Sequence, residues 1–526
     1  MSPNHSGYTS RDGFQWTKET GLRDGVPSLG VIRPSSNLTS TTRHDLFDVV
    51  VIGGGYAGLT AIRDLTLAGH KVLLIEARDR IGGRSWSANI QGYPYEMGGT
   101  WIHWNQPFIW RELFRYGLSS KIDISPVKEG GLSKCLVNME GTRTVKMSHD
   151  KEDDISESAI KKFVNVDGRL ARTVIPFPHD PHYNREAVAH YDKMSLADRF
   201  VEVADEMTPL ERSMFEAFLS ITCGSRTWEE ASFFEFLRWW ALMNYNYTDF
   251  IALGLTYKFK CGQSGFARHF FDEALETGNL TYVFDSPVSN VVDREGTVKV
   301  TTTARGNCGV SATFQGYRVI CTVPLNVLYK VDFSPPLPQP KMEASKLGHV
   351  NQVTKVHAEV ANPELRSVGA FSWPTGKLTY GFGDGTTPAG NTHMVAFGGA
   401  HPGVHLQPEE NMDETLAAWR DLLAGHKVDI RRVVFHNWHK DEFALGAWEW
   451  LRPNMSTKYL DPLRARHGNV LFGSADWAMG WRGFIDGAIE DGGRVAKEAS
   501  TEIRMARRGN ATTSDGKFVV SERSRI

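Results

Sequence analysis

The chain has 526 residues, with 59 Lys and Arg against 61 Asp and Glu, a formal net charge of −2 and a pI near 6.8. That length supplies roughly two to four domains with large cores, and the balanced charge excludes an electrostatic pull toward nucleic acid, so small molecules are the expected partners. Five scattered cysteines (Cys135, Cys223, Cys261, Cys308, Cys321) form no CxxC pair, and there is no HExxH or clustered His/Cys/Asp set, so no disulfide framework and no metal are expected.

Residues 1–44 are polar and rich in Ser, Thr, Gly and Pro without an apolar core run, and read as an irregular amino-terminal arm, not a secretory signal. The first strong signal follows. Asp48-Val-Val-Val-Ile is a buried strand, Gly53-Gly-Gly55-Tyr-Ala57-Gly58 a turn into an amphipathic helix, and Lys71-Val-Leu-Leu-Ile-Glu76 a second strand that ends in an acid. Gly53 permits the tight turn, Gly55 lets the backbone approach a pyrophosphate beside Ala57, and Gly58 allows close packing of helix on sheet. The helix amino terminus then faces the phosphates. Glu76, 18 residues past Gly58, stands where a carboxylate accepts from a ribose 2′-OH and repels the extra phosphate of an NADP-type ligand. Glycine-rich turns alone are weak signals. The strand, helix and placed acid together predict a dinucleotide site, without separating FAD from NAD.

Arg78-Asp79-Arg80-Ile81-Gly82-Gly83-Arg84 continues with arginines that can neutralise a diphosphate, although by itself it could be an ordinary basic turn. Farther on, Ser195–Glu206 and Glu211–Leu219 have helical periodicity, and Phe233–Met243 is an aromatic helix whose Trp239 and Trp240 are expected to pack the core. A helix is predicted over 266–277, two short strands within 281–292, another over 318–323, and a second mixed sheet containing 355–360 and 432–438. Lys355 sits in an otherwise apolar strand. It is either an edge lysine reaching solvent or a functional group with a polar partner. No run approaches the roughly 18 apolar residues of a membrane span.

The Arg-Ile-Gly-Gly-Arg84 run, Tyr95-Glu-Met-Gly98-Gly99-Thr100-Trp101 and Val470-Leu-Phe-Gly-Ser474-Ala475-Asp476 through Phe484-Ile485 resemble, in order and spacing, the motifs of the flavin-containing amine oxidase family. Ser10-Arg-Asp-Gly-Phe-Gln-Trp, Pro176-Phe-Pro-His-Asp and Gly383-Asp-Gly-Thr-Thr-Pro look like its soluble fungal monoamine oxidases. The resemblance implies FAD and an α/β fold in which a Rossmann-type FAD-binding domain (45–121, 260–338, 443–504) is interleaved with an α+β substrate domain (122–259, 339–442) containing a mixed sheet, followed by a polar tail (505–526). It implies that Val288 lies against the adenine and that Trp438 packs beside the flavin. Asp476 takes the place of a family glutamate near the ribityl phosphate, Lys355 stands opposite flavin N5, and Trp448 and Phe484 form an aromatic cage for the amine. Ala447 stands where mammalian monoamine oxidases carry the flavin-bonded cysteine, so a non-covalent FAD is implied.

The reaction implied is oxidative deamination of a primary amine, with dioxygen reduced to peroxide. The alternatives are a polyamine oxidase or a non-catalytic flavin scaffold. Ser524-Arg525-Ile526 is a relative of the Ser-Lys-Leu address, so a peroxisomal import receptor is an expected partner. A homodimer is the assembly the resemblance suggests, and no membrane anchor is expected.

Overall fold

The computed structural model describes residues 8–512 apart from 40–41, 43–44, 126–130, 141–143, 254 and 295. Ser524-Arg525-Ile526 lies outside the described residues. Two sheets organise the chain. The first has eight strands in the order Leu280–Val283, Val72–Ile75, Leu46–Ile52, Thr313–Cys321, Thr297–Thr302, Val288–Arg294 and Asp332–Ser334, with Val470–Phe472 added beside Thr313–Cys321. Its centre is parallel: Val72–Ile75, Leu46–Ile52, Thr313–Cys321 and Val470–Phe472 run in one direction. Strands covered on both faces must be apolar throughout, and all four residues of Val72–Ile75 and the last four of Leu46–Ile52 are hydrophobic and buried. The helix Tyr56–Leu67 covers one face, packed between Gly262–Glu276 and the 28-residue terminal helix Ile485–Thr512.

The second sheet has nine strands, ordered Gly21–Pro27, Thr9–Thr17, Ile430–Phe435, Thr354–Val360, Thr392–Gly398, Tyr380–Thr386, Val368–Trp373, Lys134–Met139 and Val145–Met147. It is mixed, with Val368–Trp373 parallel to Lys134–Met139 and the other pairs antiparallel. Helices His149–Val164, Pro209–Cys223 and Phe233–Leu242 supply a largely aromatic core on that side. Each sheet takes strands from separated stretches of chain. The layers are therefore threaded through one another.

Three sequence expectations are corrected. Residues 9–27 of the supposed irregular arm form a hairpin that extends the second sheet, with Phe14 opposite Phe435 and their rings stacked at 5.0 Å. The polar tail begins later, because 505–512 are the last turns of the terminal helix. The helix expected to start at 266 starts at Gly262, whose φ of +69 suits glycine at the turn where Ser87 and Pro94 leave no room for a Cβ. Among the described residues, no helix is long and apolar enough to cross a membrane and no group of three or more His, Cys, Asp or Glu could hold a metal ion.

Candidate active site

One cavity of about 560 Å³ runs between the two sheets. Gly53, Gly55, Ala57, Glu76, Arg78, Gly83, Arg84, Gly99, Thr100, Trp101, Val288, Lys355, Trp438, Ala447, Trp448, Phe484 and Ile485 all line it. Gly58 and Asp476 do not. Gly58 is a packing residue, since a Cβ there would fall 1.9 Å from the carbonyl oxygen of Gly53. Asp476 is fully buried behind the wall made by Ser474 and Ala475. Its carboxylate accepts from Arg84 Nη2 at 2.5 Å and from the backbone N–H of Leu325 at 2.9 Å. Burial would raise its pKa, but Arg84 and His349 hold it below the usual carboxylate value. Asp476, expected near a ribityl phosphate, therefore does not reach the cavity itself, and the side chain it holds there is Arg84.

At the nucleotide end, the amino terminus of helix Tyr56–Leu67 has no side-chain cap and no acidic residue in its first turn. Its leading N–H groups point where an anion is favoured. A Cβ on Gly55 would meet nothing but Gly83 Cα, at 3.8 Å, so the backbone there faces open cavity. Glu76 accepts from the N–H groups of Gly54 and Arg78 at 2.5 and 2.8 Å, and burial raises its pKa against those bonds. Val288, Ser286 and Pro287 close the same end. These features fit an adenine dinucleotide.

Of the three arginines, Arg78 and Arg80 turn inward. Arg78 pairs with Asp12 at 2.8 Å and with Asp441, and Arg80 donates to Asp12 at 2.9 Å and to the carbonyl of Gly83 at 2.8 Å. Their charge is largely spent on buried carboxylates, and Arg80 holds the Gly82-Gly83 turn in place. Arg84 is the more available cation, although it also donates to the carbonyl of Ala447 at 2.9 Å.

The other end of the cavity has the second sheet as its floor. Strand register sets Lys355 opposite Phe397, Phe397 opposite Tyr380, and Tyr380 opposite Phe371, so one row of four side chains crosses four strands and faces the cavity. Thr354–Val360 is an interior strand, which removes the edge-lysine reading. Lys355 Nζ donates to the carbonyl of Gly98 at 3.0 Å and to Thr100 Oγ1 at 2.5 Å, and lies 4.9 Å from the centre of the Trp101 ring. Burial pulls its pKa down to about 8, with Glu96 and Asp384 opposing. Trp101 is fixed by its own chain of bonds, donating to Ser125 Oγ at 2.8 Å, which donates to Asp384 at 2.6 Å. Trp438 donates to the carbonyl of Met97 at 2.8 Å.

The roof comes from helix Pro209–Cys223, where Met214, Phe218 and Ile221 share one face, and from Glu152, Ser156 and Ile160 at four-residue spacing on His149–Val164. Neither lining face was singled out from sequence, although the spacing could have found both. Trp448 and Phe484 stand at the junction of the two ends. Trp448 Nε1 donates to the carbonyl of Thr222 at 3.0 Å. Phe484 is met by Trp481 at 5.1 Å and by Trp239 at 4.8 Å. Trp239 lines the cavity, contrary to the expectation that it packs the core, while Trp240 is wholly buried as expected. Among the described residues, the lining contains neither cysteine nor histidine.

The family model for flavin-containing amine oxidoreductases matches residues 56–500. Pseudooxynicotine dehydrogenase of Pseudomonas sp is 30% identical over 461 residues, covering 87% of this chain and 87% of that protein. Flavin-containing amine oxidase B of Sus scrofa is 23% identical over 469 residues, covering 86% of this chain and 85% of its own. Among solved structures, wild-type putrescine oxidase bound to putrescine superposes with a TM-score of 0.70 at 21% identity, covering 86% of this chain and 99% of that chain, a likeness of fold.

Proposed function

The chain belongs to the family of flavin-containing amine oxidoreductases, and from that premise we propose that it oxidises primary monoamines with apolar substituents. The amine becomes an imine that hydrolyses to aldehyde and ammonia, and dioxygen is reduced to hydrogen peroxide. The observation that carries this reading is the compartment floored by Lys355, Phe397, Tyr380 and Phe371 and roofed by Met214, Phe218 and Ile221, which offers an apolar sleeve and little to hold a polar tail.

Bound FAD supplies the hydride acceptor. Gly53, Gly55, Gly83 and Arg84 would hold its diphosphate, Glu76 a ribose, Val288 the adenine, and Thr100, Trp101, Trp438 and Ala447 the flavin end. With alanine at 447 and, among the described residues, no cysteine or histidine in the lining, the cofactor is held without a covalent link. Trp448 and Phe484 guide the amine by their π faces and exclude water. Lys355, fixed by Gly98 and Thr100, places a cation with a pKa of about 8 beside the reacting centre, where it can hold or release a proton near neutral pH. No carboxylate is required as base, because a neutral amine can lose hydride directly.

One observation favours a second reading. Glu152 is the charged side chain that the roof helices bring to the apolar compartment, and it suits an amine carrying a distal ammonium. Peroxide formation and the Ser524-Arg525-Ile526 ending together support residence in the peroxisome, with an import receptor and a homodimer as the proposed partners.

The test is amine-dependent oxygen consumption with peroxide detection on benzylamine, n-butylamine, putrescine and spermine. Turnover of the first two alone supports the monoamine reading, preference for the last two supports the Glu152 reading, and flavin bleaching without oxygen uptake points to another electron acceptor.

A further inference from the structure

Behind the aromatic walls of the cavity lies a group of four charges that the reaction itself does not use. Glu235, Arg238, Glu449 and Arg482 are all 0% exposed. Three of them adjoin wall aromatics in sequence: Arg238 precedes Trp239, Glu449 follows Trp448, and Arg482 stands two before Phe484. The walls come from three distant stretches of chain, and each stretch sends a charge to the same buried place. We propose that this quartet is the positioning device of the amine cage, and that Glu449 is the member through which the relative placement of Trp448 and Phe484 is set. The inference rests on reading Trp448 and Phe484 as that cage.

The bonding is uneven. Glu235 accepts from Arg238 Nε and Nη2 at 2.9 and 2.8 Å and from Arg482 Nη2 at 2.5 Å, so it is fully engaged. Arg238 also donates to the carbonyls of Gly480 and Arg482 at 3.2 and 3.0 Å, which ties the segment leading to Phe484 onto the helix bearing Trp239. Glu449 has no such bonds. It lies 3.6 Å from Arg238 Nη2 and 3.6 Å from Arg482 Nε, and both of its oxygens lack a hydrogen-bond partner, as do Nε and Nη1 of Arg482.

Buried polar groups left this way are costly, and burying ions without full bonding is costlier still, so packing alone would favour apolar residues here. The backbone is equally constrained. Gly483 has φ +85, and a Cβ there would meet the Glu449 carbonyl at 3.1 Å and Glu449 Oε2 at 3.3 Å. The residue before Phe484 is thus pressed directly on Glu449, while Trp448, one residue earlier, is anchored at its far edge by Thr222. A shift of the Glu449 carboxylate is passed to both rings.

The charge of Glu449 is also adjustable. Burial pushes its pKa up to about 8, helped by Glu235 and Asp476 and opposed by Arg482 and Arg238, whereas burial fails to raise Glu235 because the two arginines hold it low. Those four groups are the charged side chains that face Glu449. Protonated, Glu449 is a neutral hydrogen-bonding acid. Ionised, it draws Arg238 and Arg482 together and pulls on the Gly483 turn.

The experiment uses the full chain loaded with FAD and the variants Glu449→Gln and Glu449→Ala, with benzylamine kinetics and near-ultraviolet circular dichroism of the tryptophans. The alanine variant is expected to raise KM about tenfold or more with a smaller change in kcat, the glutamine variant to recover most of that loss, and the wild-type dichroism to change across about pH 6.5 to 9.5 in a way that Glu449→Gln abolishes. Unchanged KM and dichroism in the alanine variant would overturn the proposal, as would equal impairment of both variants. If the alanine variant fails to fold, the dichroism of Glu449→Gln decides, persistence of the pH-dependent change counting against the proposal. If wild type turned over no monoamine, the amine-oxidation reading would fail while the dichroism still reported on the quartet.

Discussion

Asp12 Oδ2 accepts a hydrogen bond from Arg78 Nη1 at 2.8 Å, joining residues 66 positions apart and linking the two sheets at the nucleotide end of the cavity. The same oxygen accepts from Arg80 at 2.9 Å, and Arg80 in turn holds the carbonyl of Gly83. The amino-terminal hairpin therefore carries the counter-charge for the turn that would receive the diphosphate. Burial would raise the Asp12 pKa, but Arg78, Arg80 and His436 hold it far below the usual carboxylate range.

Asp12→Ala leaves Arg80 without its closest carboxylate and Arg78 with Asp441 alone. Breaking a buried pair in this way costs about 3–5 kcal/mol. The expected result is a lower unfolding temperature and weaker FAD binding by the apoprotein, measured by calorimetry and by flavin titration. Wild-type values in both would show that the hairpin does not support the turn.

Lys355→Met removes the cation while keeping an unbranched side chain in the strand. FAD binding should remain nearly intact while flavin reduction or reoxidation slows by roughly tenfold or more, read by stopped flow in the two half-reactions. Unchanged rates in both would take Lys355 out of the chemistry.

Trichloroacetic acid should release the flavin into the supernatant, since Ala447 offers no thiol and no cysteine or histidine lines the cavity among the described residues. Yellow colour retained in the pellet would contradict a non-covalent cofactor.

Buried histidines make acid a destabilising condition. Burial drives His349 down to about 3 and His182 and His405 to about 4, and puts His357 and His393 well below the ordinary value. Each is neutral when folded and protonated when unfolded as pH falls below about 6.5, so stability is full above that value and declines below it, by up to about 1.4 kcal/mol per pH unit for each group. Burial raises Glu96 to about 7, Asp486 to about 7 and Glu449 to about 8, and these act in the opposite direction, losing stability as pH rises from the unfolded carboxylate range toward their folded values. Burial also lowers His103, His179, His269, His401, His426 and His439 and raises Glu76, Asp192 and Glu490, so eleven histidines stand against six acids among the described residues, and the midpoint of urea unfolding should fall between pH 7 and pH 5. A midpoint that rises over that interval would show that the acids dominate.

Much of the nucleotide end is local and so could be read in the sequence. The run from Asp48 to Glu76 contains its own strand, turn and helix, and the glycines that shape the turn are consecutive with the groups that need them. The amine end depends on register. Nothing in the spacing of Lys355, Phe371, Tyr380 and Phe397 says that they form one row, because the row exists only once four strands have paired. Trp239 and Trp240 show the same limit, since neighbouring residues on a helix point about 100° apart and only the helix's rotation decides which one reaches the cavity. The hairpin at 9–27 was hidden by its polar composition. Its partner strand, Ile430–Phe435, lies more than four hundred residues away. Asp476 was placed by resemblance, yet its shorter side chain ends at Arg84 and Leu325.

The threading of the two layers also dictates an order of assembly. Val470–Phe472 completes the parallel centre, and Ile485–Thr512 covers the helix that begins the nucleotide turn. A nascent polypeptide emerging from the ribosome thus carries its glycine turn for more than four hundred residues of synthesis before the elements that enclose it exist. The finished cradle is consequently available only once both ends of the polypeptide have been made, since Val470–Phe472 and Ile485–Thr512 close it.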